Sequence, residues 1–130
     1  MNSKKILVVD DEQAIRLLVS SLLRKLGHSA IISENGKQAV GIYEQFSSEI
    51  DIAIIDMQMP EMSGPATYER LKSIDPDIKV IFSSGQICDQ MNQLVRDSGC
   101  ICLAKPYKMA QLTEALEELG AFTKIEGNDD

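Results

Sequence analysis

Acidic, hydroxyl and lysine side chains stand where four short apolar segments of this chain end. The residues concerned are Asp10, Asp11 and Glu12 after the first segment, Asp56 at the third, Ser83, Ser84 and Gly85 at the fourth, and Lys105 and Pro106 after the fifth. If the segments are parallel strands, these side chains meet at one edge of a sheet. Carboxylates brought within several ångströms repel one another, which raises their pKa values or requires a cation between them. A divalent metal is the simplest cation for this edge.

The ligand atoms available at this edge favour one group of metals. No His or Cys is predicted there, so Mg²⁺, Mn²⁺ or Ca²⁺ is favoured over zinc, and few carboxylates leave room for the waters that Mg²⁺ keeps. Mg²⁺ is the predicted ion, with Mn²⁺ as the alternative. A metal beside Asp56, the ammonium of Lys105 and the hydroxyl of Ser84 would neutralise a phosphoryl group from three sides. Asp56 is then the predicted nucleophile, and the product is an aspartyl phosphate.

Each of these residues also has a simpler interpretation when taken alone. Acids after a strand often complement the dipole of the next helix, and Ser84 would serve as an ordinary turn hydroxyl. Asp56 would be a loop acid and Lys105 a solvated surface residue. The presence of all four features at successive strand ends favours a site over four coincidences.

The elements that position these residues follow from the hydrophobic pattern. Short β-branched segments at 6–9, 30–32, 52–55, 80–82 and 101–103 alternate with longer segments of helical period. This alternation predicts a doubly wound α/β domain, in which a five-stranded parallel sheet carries helices on both faces.

Five helices are predicted between and after the strands. The first presents Ile15, Leu18, Val19, Leu22 and Leu26 on one face and stops at Gly27. The second and third cover 36–46 and 65–74, with Ser63 as the cap of the third. The fourth runs through Met91, Leu94 and Val95 to Gly99, and the fifth uses Met109, Leu112, Leu116 and Leu119. Residues 126–130 have the composition of a frayed acidic end.

Composition and charge exclude several classes of function. The chain has 130 residues, 13 Lys and Arg against 20 Asp and Glu, and a net charge of −7, which disfavours binding to nucleic acid by the domain. No apolar stretch approaches the ~18 residues of a membrane span, and the amino-terminal apolar segment is too short for a signal peptide. Three cysteines, an odd count, argue against a disulfide framework and predict small buried thiols in a reducing cytoplasm.

Four motifs together resemble the receiver domain of bacterial response regulators, the CheY-like phosphoacceptor of two-component signalling. They are residues 8–12 (VVDDE), residues 55–64 (IDMQMPEMSG), the pair Ser84 and Gly85, and residues 105–107 (KPY). The resemblance covers essentially residues 4–120. It implies a flavodoxin-like sheet of order 2-1-3-4-5, a receiver domain at 1–120, and a short acidic tail at 121–130.

The resemblance also implies roles for individual residues. Asp11 would bind Mg²⁺ directly and Asp10 mostly through water, with Asp56 and the backbone carbonyl of Gln58 completing the protein ligands. Asp56 would accept the phosphoryl group from a phosphohistidine on a sensor histidine kinase or phosphotransfer protein. Lys105 would pair with the phosphoryl oxygens, and its bond to Pro106 would be cis.

Switching would follow when phosphorylated Asp56 offers acceptor oxygens to Ser84 and Lys105 and thereby changes partner binding. Ser84 is chosen over Ser83 because a small glycine follows it. The family usually has Tyr or Phe where this chain has Cys102, so this chain departs from the usual coupling of an aromatic side chain to the switch hydroxyl. Gln58 and Gln86 are candidates to control the access of hydrolytic water, or are plain loop residues.

Several functional alternatives remain at this point. A receiver-fold interaction module that is not phosphorylated is the stronger rival. A haloacid-dehalogenase-type phosphatase would resemble Asp-x-Asp-x-Thr after the first strand, and a mononucleotide binder would place amides rather than acids there. We expect a domain that catalyses its own phosphorylation and dephosphorylation, not an enzyme with a separate substrate. It is either a single-domain regulator or part of a longer protein, and a homodimer through the fourth helix, fifth strand and fifth helix is a hypothesis.

Overall fold

A single parallel sheet organises the chain. The computed structural model describes residues 3–85, 100–105 and 107–121. Its strands are β1 (Lys5–Val9), β2 (Ser29–Ser33), β3 (Ile52–Asp56), β4 (Lys79–Ser84) and β5 (Ile101–Ala104). All neighbouring strands pair in parallel, in the order β2-β1-β3-β4-β5. The predicted doubly wound fold and strand order are confirmed.

The strand order creates the crevice in which a site is expected. The chain leaves β1 for β2 on one side and then returns to β3 on the other side of β1, so the winding direction reverses there. The amide of Asp10 donates to the carbonyl of Ser33 at 3.1 Å, which ties the residue after β1 to the end of β2. The carboxyl ends of β1 and β3 therefore lie side by side with their loops facing the crevice.

Four α-helices flank the sheet in the part of the chain that the structure describes. They are α1 (Gln13–Lys25), α2 (Gly36–Phe46), α3 (Gly64–Ile74) and α4 (Met109–Leu116), and a π-helical turn, Glu117–Ala121, continues α4. Here α4 is the fifth helix of the sequence prediction. The predicted helix through Met91 to Gly99 lies outside the described residues, as do Gln86, Pro106 with its cis bond, and the tail after residue 121.

The pleat of the strands divides the core into two layers, because successive side chains point to opposite faces. Leu7, Val9, Ala53, Ile55 and Phe82 pack on the face covered by α2 and α3. On the other face, Ile6, Val8, Ile54 and Ile81 pack against α1 and α4. The central strands are thus apolar on both faces, which explains their short and nearly continuous hydrophobic segments.

The caps of the helices agree with their sequences. The side chain of Asn35 accepts from the amide of Gln38 at 2.7 Å at the start of α2, and Ser63 Oγ accepts from the amide of Ala66 at 3.2 Å at the start of α3. Gly27 adopts a left-handed conformation with φ of 90° directly after α1. These residues confirm the predicted cap of α3 and the predicted end of α1.

The face that α1 turns to the core differs in one residue from the prediction. Val19 and Leu23 are buried, whereas Leu18 is 43% and Leu17 60% exposed. The placement of Leu18 on the buried face is therefore wrong. With 3.6 residues per turn, a stripe through Ile15, Val19 and Leu22 leaves Leu18 at its border, and α1 is rotated so that Leu23 takes the core position instead.

The cysteines also depart from the prediction. Cys102 on β5 is disulfide-bonded, whereas Cys100 is buried and is not in a disulfide. The prediction that Cys102 is a simple buried thiol is wrong. Sequence spacing compares only cysteines that are close in the chain, whereas a disulfide depends on the distance between Cα atoms in the fold.

Within the described ranges, none of the helices is both long and apolar enough to cross a membrane.

Candidate functional site

Three carboxylates converge at the carboxyl edge of the sheet. Asp10 follows β1, Asp56 is the last residue of β3, and both are almost fully buried, while Asp11 is exposed at the rim. One carboxylate oxygen from each lies within 4.8 Å of the other two. The predicted acid cluster is therefore present as a compact group.

Lys105 lies directly after β5 and enters this group as its cation. Its Nζ is 2.9 Å from Asp10 Oδ2, 3.3 Å from Asp56 Oδ1 and 3.3 Å from Glu12 Oε1. The amide of Lys105 donates to the carbonyl of Ser84 at 2.6 Å, so the end of β5 is held against the end of β4. This pairing places Lys105, at the end of the edge strand β5, in contact with Asp10 and Asp56 at the ends of the central strands.

Burial and the neighbouring charges of the group together raise the pKa of Asp56. Burial is the main cause, and the neighbouring charge of Asp10 adds to it. The charge and hydrogen bond of Lys105 and the amide of Gln58 act in the opposite direction, and the resulting pKa is about 6. Asp56 is therefore ionised above about pH 6 and sits in an environment that disfavours its charge.

Burial and the neighbouring carboxylates also act on the pKa of Lys105. Burial on its own would lower the pKa of the ammonium. The hydrogen bonds and charges of Asp10 and Asp56 outweigh burial and leave its pKa raised. Lys105 is thus cationic at any physiological pH.

The loop after β3 is shaped by a close approach between backbones. The amide of Met57 donates to the carbonyl of Ser83 at 2.8 Å, and the amide of Gly64 donates to the carbonyl of Met57 at 3.0 Å. A Cβ on Gly64 would lie 2.5 Å from the carbonyl oxygen of Asp56, so only glycine fits here. Gly64 therefore lets α3 begin directly against the backbone of Asp56.

Gln58 and Ser84 lie at the edge, but their predicted roles stay predictions. The amide of Gln58 donates to Asp56 Oδ1 at 3.3 Å, which places this residue beside the acid cluster. In the strand register Asp56 pairs with Ser83, and Ser84 pairs with Ala104 one residue further along. Both serines are buried, and Gly85 after them reaches the rim of the site.

A pocket of about 230 Å³ opens at this edge. Its lining residues are Asp11, Glu12, Asp56, Gln58, Gly85 and Lys105. An all-oxygen set of three aspartates with solvent access suits Mg²⁺, which binds through a few carboxylates and keeps several waters. The residues present therefore fit the metal that the sequence predicts.

Three contacts at the site were not predicted from the sequence. Glu12 contacts Lys105 across 93 residues of chain, which no local pattern indicates. Arg16 Nη1 donates to the carbonyl of Asp10 at 2.7 Å, and a basic residue one turn into the helix after the acids was the available signal. Tyr107 has its hydroxyl buried without a hydrogen-bond partner among the described residues. Burial first, and then the charges of Asp10 and Asp56, raise the pKa of this hydroxyl.

His28, the one histidine of the chain, lies far from this group. Its Nδ1 accepts from the amide of Lys4 at 2.9 Å, next to the start of β1 and at the opposite edge of the sheet. Burial and the charge of Lys4 lower its pKa, with Asp51 opposing. It therefore acts as a neutral hydrogen-bond acceptor.

Comparison with known proteins identifies the family of this fold and site. The model of the response regulator receiver domain matches residues 6–117. The chain therefore belongs to the response regulator receiver domains, the signalling domains of two-component phosphorelays. Receiver domains bind Mg²⁺ at an acidic pocket, and this chain has a matching cluster of aspartates.

Individual relatives agree with this assignment. The chain is 31% identical to sporulation initiation phosphotransferase F of Bacillus subtilis over 91% of this chain and 94% of that protein. It is 35% identical to the sensor kinase CckA of Brucella abortus over 90% of this chain but only 12% of that protein. A receiver domain structure from Clostridium thermocellum superposes with a TM-score of 0.86 at 28% identity, covering 95% of this chain and 98% of that one.

Proposed function

We propose that Asp56 is the phosphoacceptor and that it receives its phosphoryl group from a phosphohistidine on a sensor histidine kinase or phosphotransfer protein. The observation that carries this proposal is the buried contact of Asp56 with Lys105 beside Asp10 and Asp11. Buried acids that repel one another are destabilising, and they are useful where a cationic or phosphoryl ligand is to be bound.

The transfer exchanges one bond to phosphorus for another. A carboxylate oxygen of Asp56 forms the new P–O bond while the P–N bond to the donor imidazole breaks. The imidazole, already protonated on its other ring nitrogen, keeps the electron pair of the broken bond and leaves as the neutral base. Because the pKa of Asp56 is about 6, the carboxylate is available as a nucleophile at pH 7. Lys105 offers its charge to the phosphoryl oxygens as they approach.

A metal would complete this set of charges. Asp10, Asp11, Asp56 and the backbone carbonyl of Gln58 would hold Mg²⁺, with Mn²⁺ as the alternative ion. When bound, the ion supplies positive charge that neutralises both the aspartates and the phosphoryl oxygens. The chain's own contribution is to fix the acids on two adjacent strand ends, where they are pre-positioned for the ion.

The surface next to the pocket suits a protein donor. Helix α1 begins one residue after Glu12 and exposes the apolar side chains of Leu17 and Leu18. Exposed apolar side chains next to a reactive pocket are typical of protein contact surfaces. A phosphohistidine donor is made from ATP, so the proposed reaction implies a cytoplasmic location for the chain.

Phosphorylation would be followed by a conformational response and by loss of the phosphate. Ser84 is proposed as the hydroxyl that contacts the phosphoryl group, and a homodimer through β5 and its flanking helices stays a hypothesis. Gln58 lines the pocket, where its side chain would influence the access of hydrolytic water to phosphorylated Asp56. The domain thereby acts on itself and not on a separate substrate.

Intact mass after incubation with acetyl phosphate tests the proposal. One Mg²⁺-dependent phosphoryl adduct is expected on the native chain and none on Asp56→Asn. The absence of an adduct under conditions that label another receiver domain would overturn the proposal in favour of an interaction module that is not phosphorylated.

A further inference from the structure

Lys105 has no donor left for a phosphoryl oxygen. A lysine ammonium carries three N–H donors. Three carboxylate oxygens surround Nζ, those of Asp10 at 2.9 Å, Asp56 at 3.3 Å and Glu12 at 3.3 Å. One of these contacts must open before Lys105 can bind an incoming phosphoryl group.

The three contacts differ in how easily they open. The side chains of Asp10 and Asp56 are 3% and 5% exposed, whereas that of Glu12 is 62% exposed. A buried carboxylate that loses its cation is left without solvation, but an exposed carboxylate that swings away is solvated by water. Glu12 is therefore the ligand of Lys105 that can be exchanged.

The backbone of Glu12 explains why its side chain is available for this contact. Glu12 is the N-cap residue of α1, and its carbonyl accepts from the amides of Ile15 and Arg16, both at 3.1 Å. Its side chain makes no capping hydrogen bond, and glutamate is not among the preferred N-caps. The side chain instead reaches Lys105 at the rim of the pocket that Asp56 also lines.

We propose that Glu12 is a competing ligand of Lys105. The Glu12 carboxylate accepts from the N–H of Lys105 that an oxygen of the transferring phosphoryl group must bind. Glu12 thereby lowers the rate of phosphorylation. The effect is largest for small anionic donors, which have to displace the Glu12 carboxylate without any further contact with the protein surface. A protein donor makes further contacts with the surface and can displace it more readily. The inference rests on the proposed role of Asp56 as phosphoacceptor.

The test compares rates of phosphorylation by acetyl phosphate with Mg²⁺, followed by intact mass. Glu12→Gln removes the charge and weakens the contact, and we expect its initial rate to rise roughly two- to fivefold, the size of an exposed ion pair. Glu49→Gln is the control, because Glu49 is likewise an exposed glutamate paired with a lysine, Lys5 at 3.2 Å, at the other edge of the sheet. It should leave the rate unchanged.

A second variant separates the direct contact from general repulsion. Glu12→Asp keeps the negative charge, but its carboxylate is one methylene shorter and cannot hold the same contact with Lys105. We expect it to be phosphorylated as fast as Glu12→Gln, and the gain to persist at high salt, which screens long-range repulsion. A rate equal to that of the native chain would mean that only the charge matters and would overturn the competing-ligand inference.

The outcomes also distinguish this inference from the proposed function. If the native chain is labelled and Glu12→Gln is no faster, the inference fails and the role of Asp56 stands. If neither is labelled while another receiver domain is, both fail together. A gain of rate cannot come from a merely structural role, because damage to the site would slow the reaction.

Discussion

The two ends of the same parallel sheet both carry charged residues, and they use them differently. At the amino edge, Lys5 and Glu49 form an ion pair of 3.2 Å with side chains 40% and 55% exposed. At the carboxyl edge, Lys105 pairs at similar distances with Asp10 and Asp56, which are buried. The two groups of contacts have similar distances, but only the contacts at the carboxyl edge are buried from water.

This difference in solvation separates a structural pair from a functional site. Exposed pairs contribute little because water solvates each partner nearly as well as the other partner does. Buried charges of one sign are unfavourable until a cation offsets them, so their presence together indicates a site for a ligand. The comparison predicts that equivalent substitutions at the two edges change the free energy of unfolding by unequal amounts or even in opposite directions.

Replacement of the lysine at each edge should produce the largest difference in stability between the two edges. Lys105→Met leaves Asp10 and Asp56 buried without a cation, and we expect a loss of about 2–4 kcal/mol in the free energy of unfolding without metal. Lys5→Met should lose less than about 1 kcal/mol. Urea unfolding with and without Mg²⁺ measures both, and the ion should restore much of the stability of Lys105→Met. Equal losses at the two edges would contradict the comparison.

Removal of an aspartate should change stability in opposite directions at the two edges. The folded-state pKa of Asp56 is about 6, above its ordinary 3.8, so the folded chain binds this proton more tightly than the unfolded chain. The charge of Asp56 has no effect on stability below pH 4, destabilises the fold progressively as pH rises from 4 to about 6, and has a constant effect above that range. Above that pH, Asp56→Asn should therefore stabilise the metal-free protein, by about 1–2 kcal/mol.

Asp51→Asn is the matched control for this prediction. Asp51 Oδ2 accepts from the amide of Lys5 at 2.9 Å at the exposed edge, and loss of the charge there should cost about 0.5–1 kcal/mol. Thermal unfolding between pH 4 and 8 without metal checks both variants. The native protein should lose stability relative to Asp56→Asn over pH 4 to 6, and parallel pH profiles would show that Asp56 does not carry the effect.

The sequence predicted the carboxyl edge well because its signals are local. Each strand is a short apolar segment, and a polar residue at its end must lie at the sheet edge, so the sequence pattern alone brings Asp10, Asp56 and Lys105 together. The sheet order followed from the resemblance, and the structure confirms it. Glu12 stood in the same acidic segment, but its contact with Lys105 depends on the path of β5.

The parts that were missed depend on small rotations and on packing between distant segments. The exposure of Leu18 follows from the rotation of α1 about its axis, to which a five-residue apolar pattern is insensitive. The disulfide at Cys102 depends on a distance across the fold. Strand alternation places Ser83 and Ser84 on opposite faces of β4, but the alternation does not by itself indicate which of the two faces the acid cluster.

A pair of buried tyrosines provides the smallest test of the comparison. The hydroxyl of Tyr107 is buried without a hydrogen-bond partner among the described residues, on the core face below the acid cluster. The hydroxyl of Tyr43, on the opposite face, donates to Asp75 Oδ2 at 3.2 Å. An unpartnered buried hydroxyl is unfavourable, so its removal should not destabilise the fold, whereas removal of a paired hydroxyl should.

We therefore expect Tyr107→Phe to be neutral or to stabilise the metal-free protein by up to about 1 kcal/mol, and Tyr43→Phe to destabilise it by about 1 kcal/mol. Both variants keep the ring and so preserve the packing. Chemical denaturation with a common slope compares them directly. If Tyr107→Phe loses as much stability as Tyr43→Phe, its hydroxyl has a partner in solution. That partner is then either a residue outside the described ranges or a buried water beside the ring, because a water in such a place needs polar neighbours to bind.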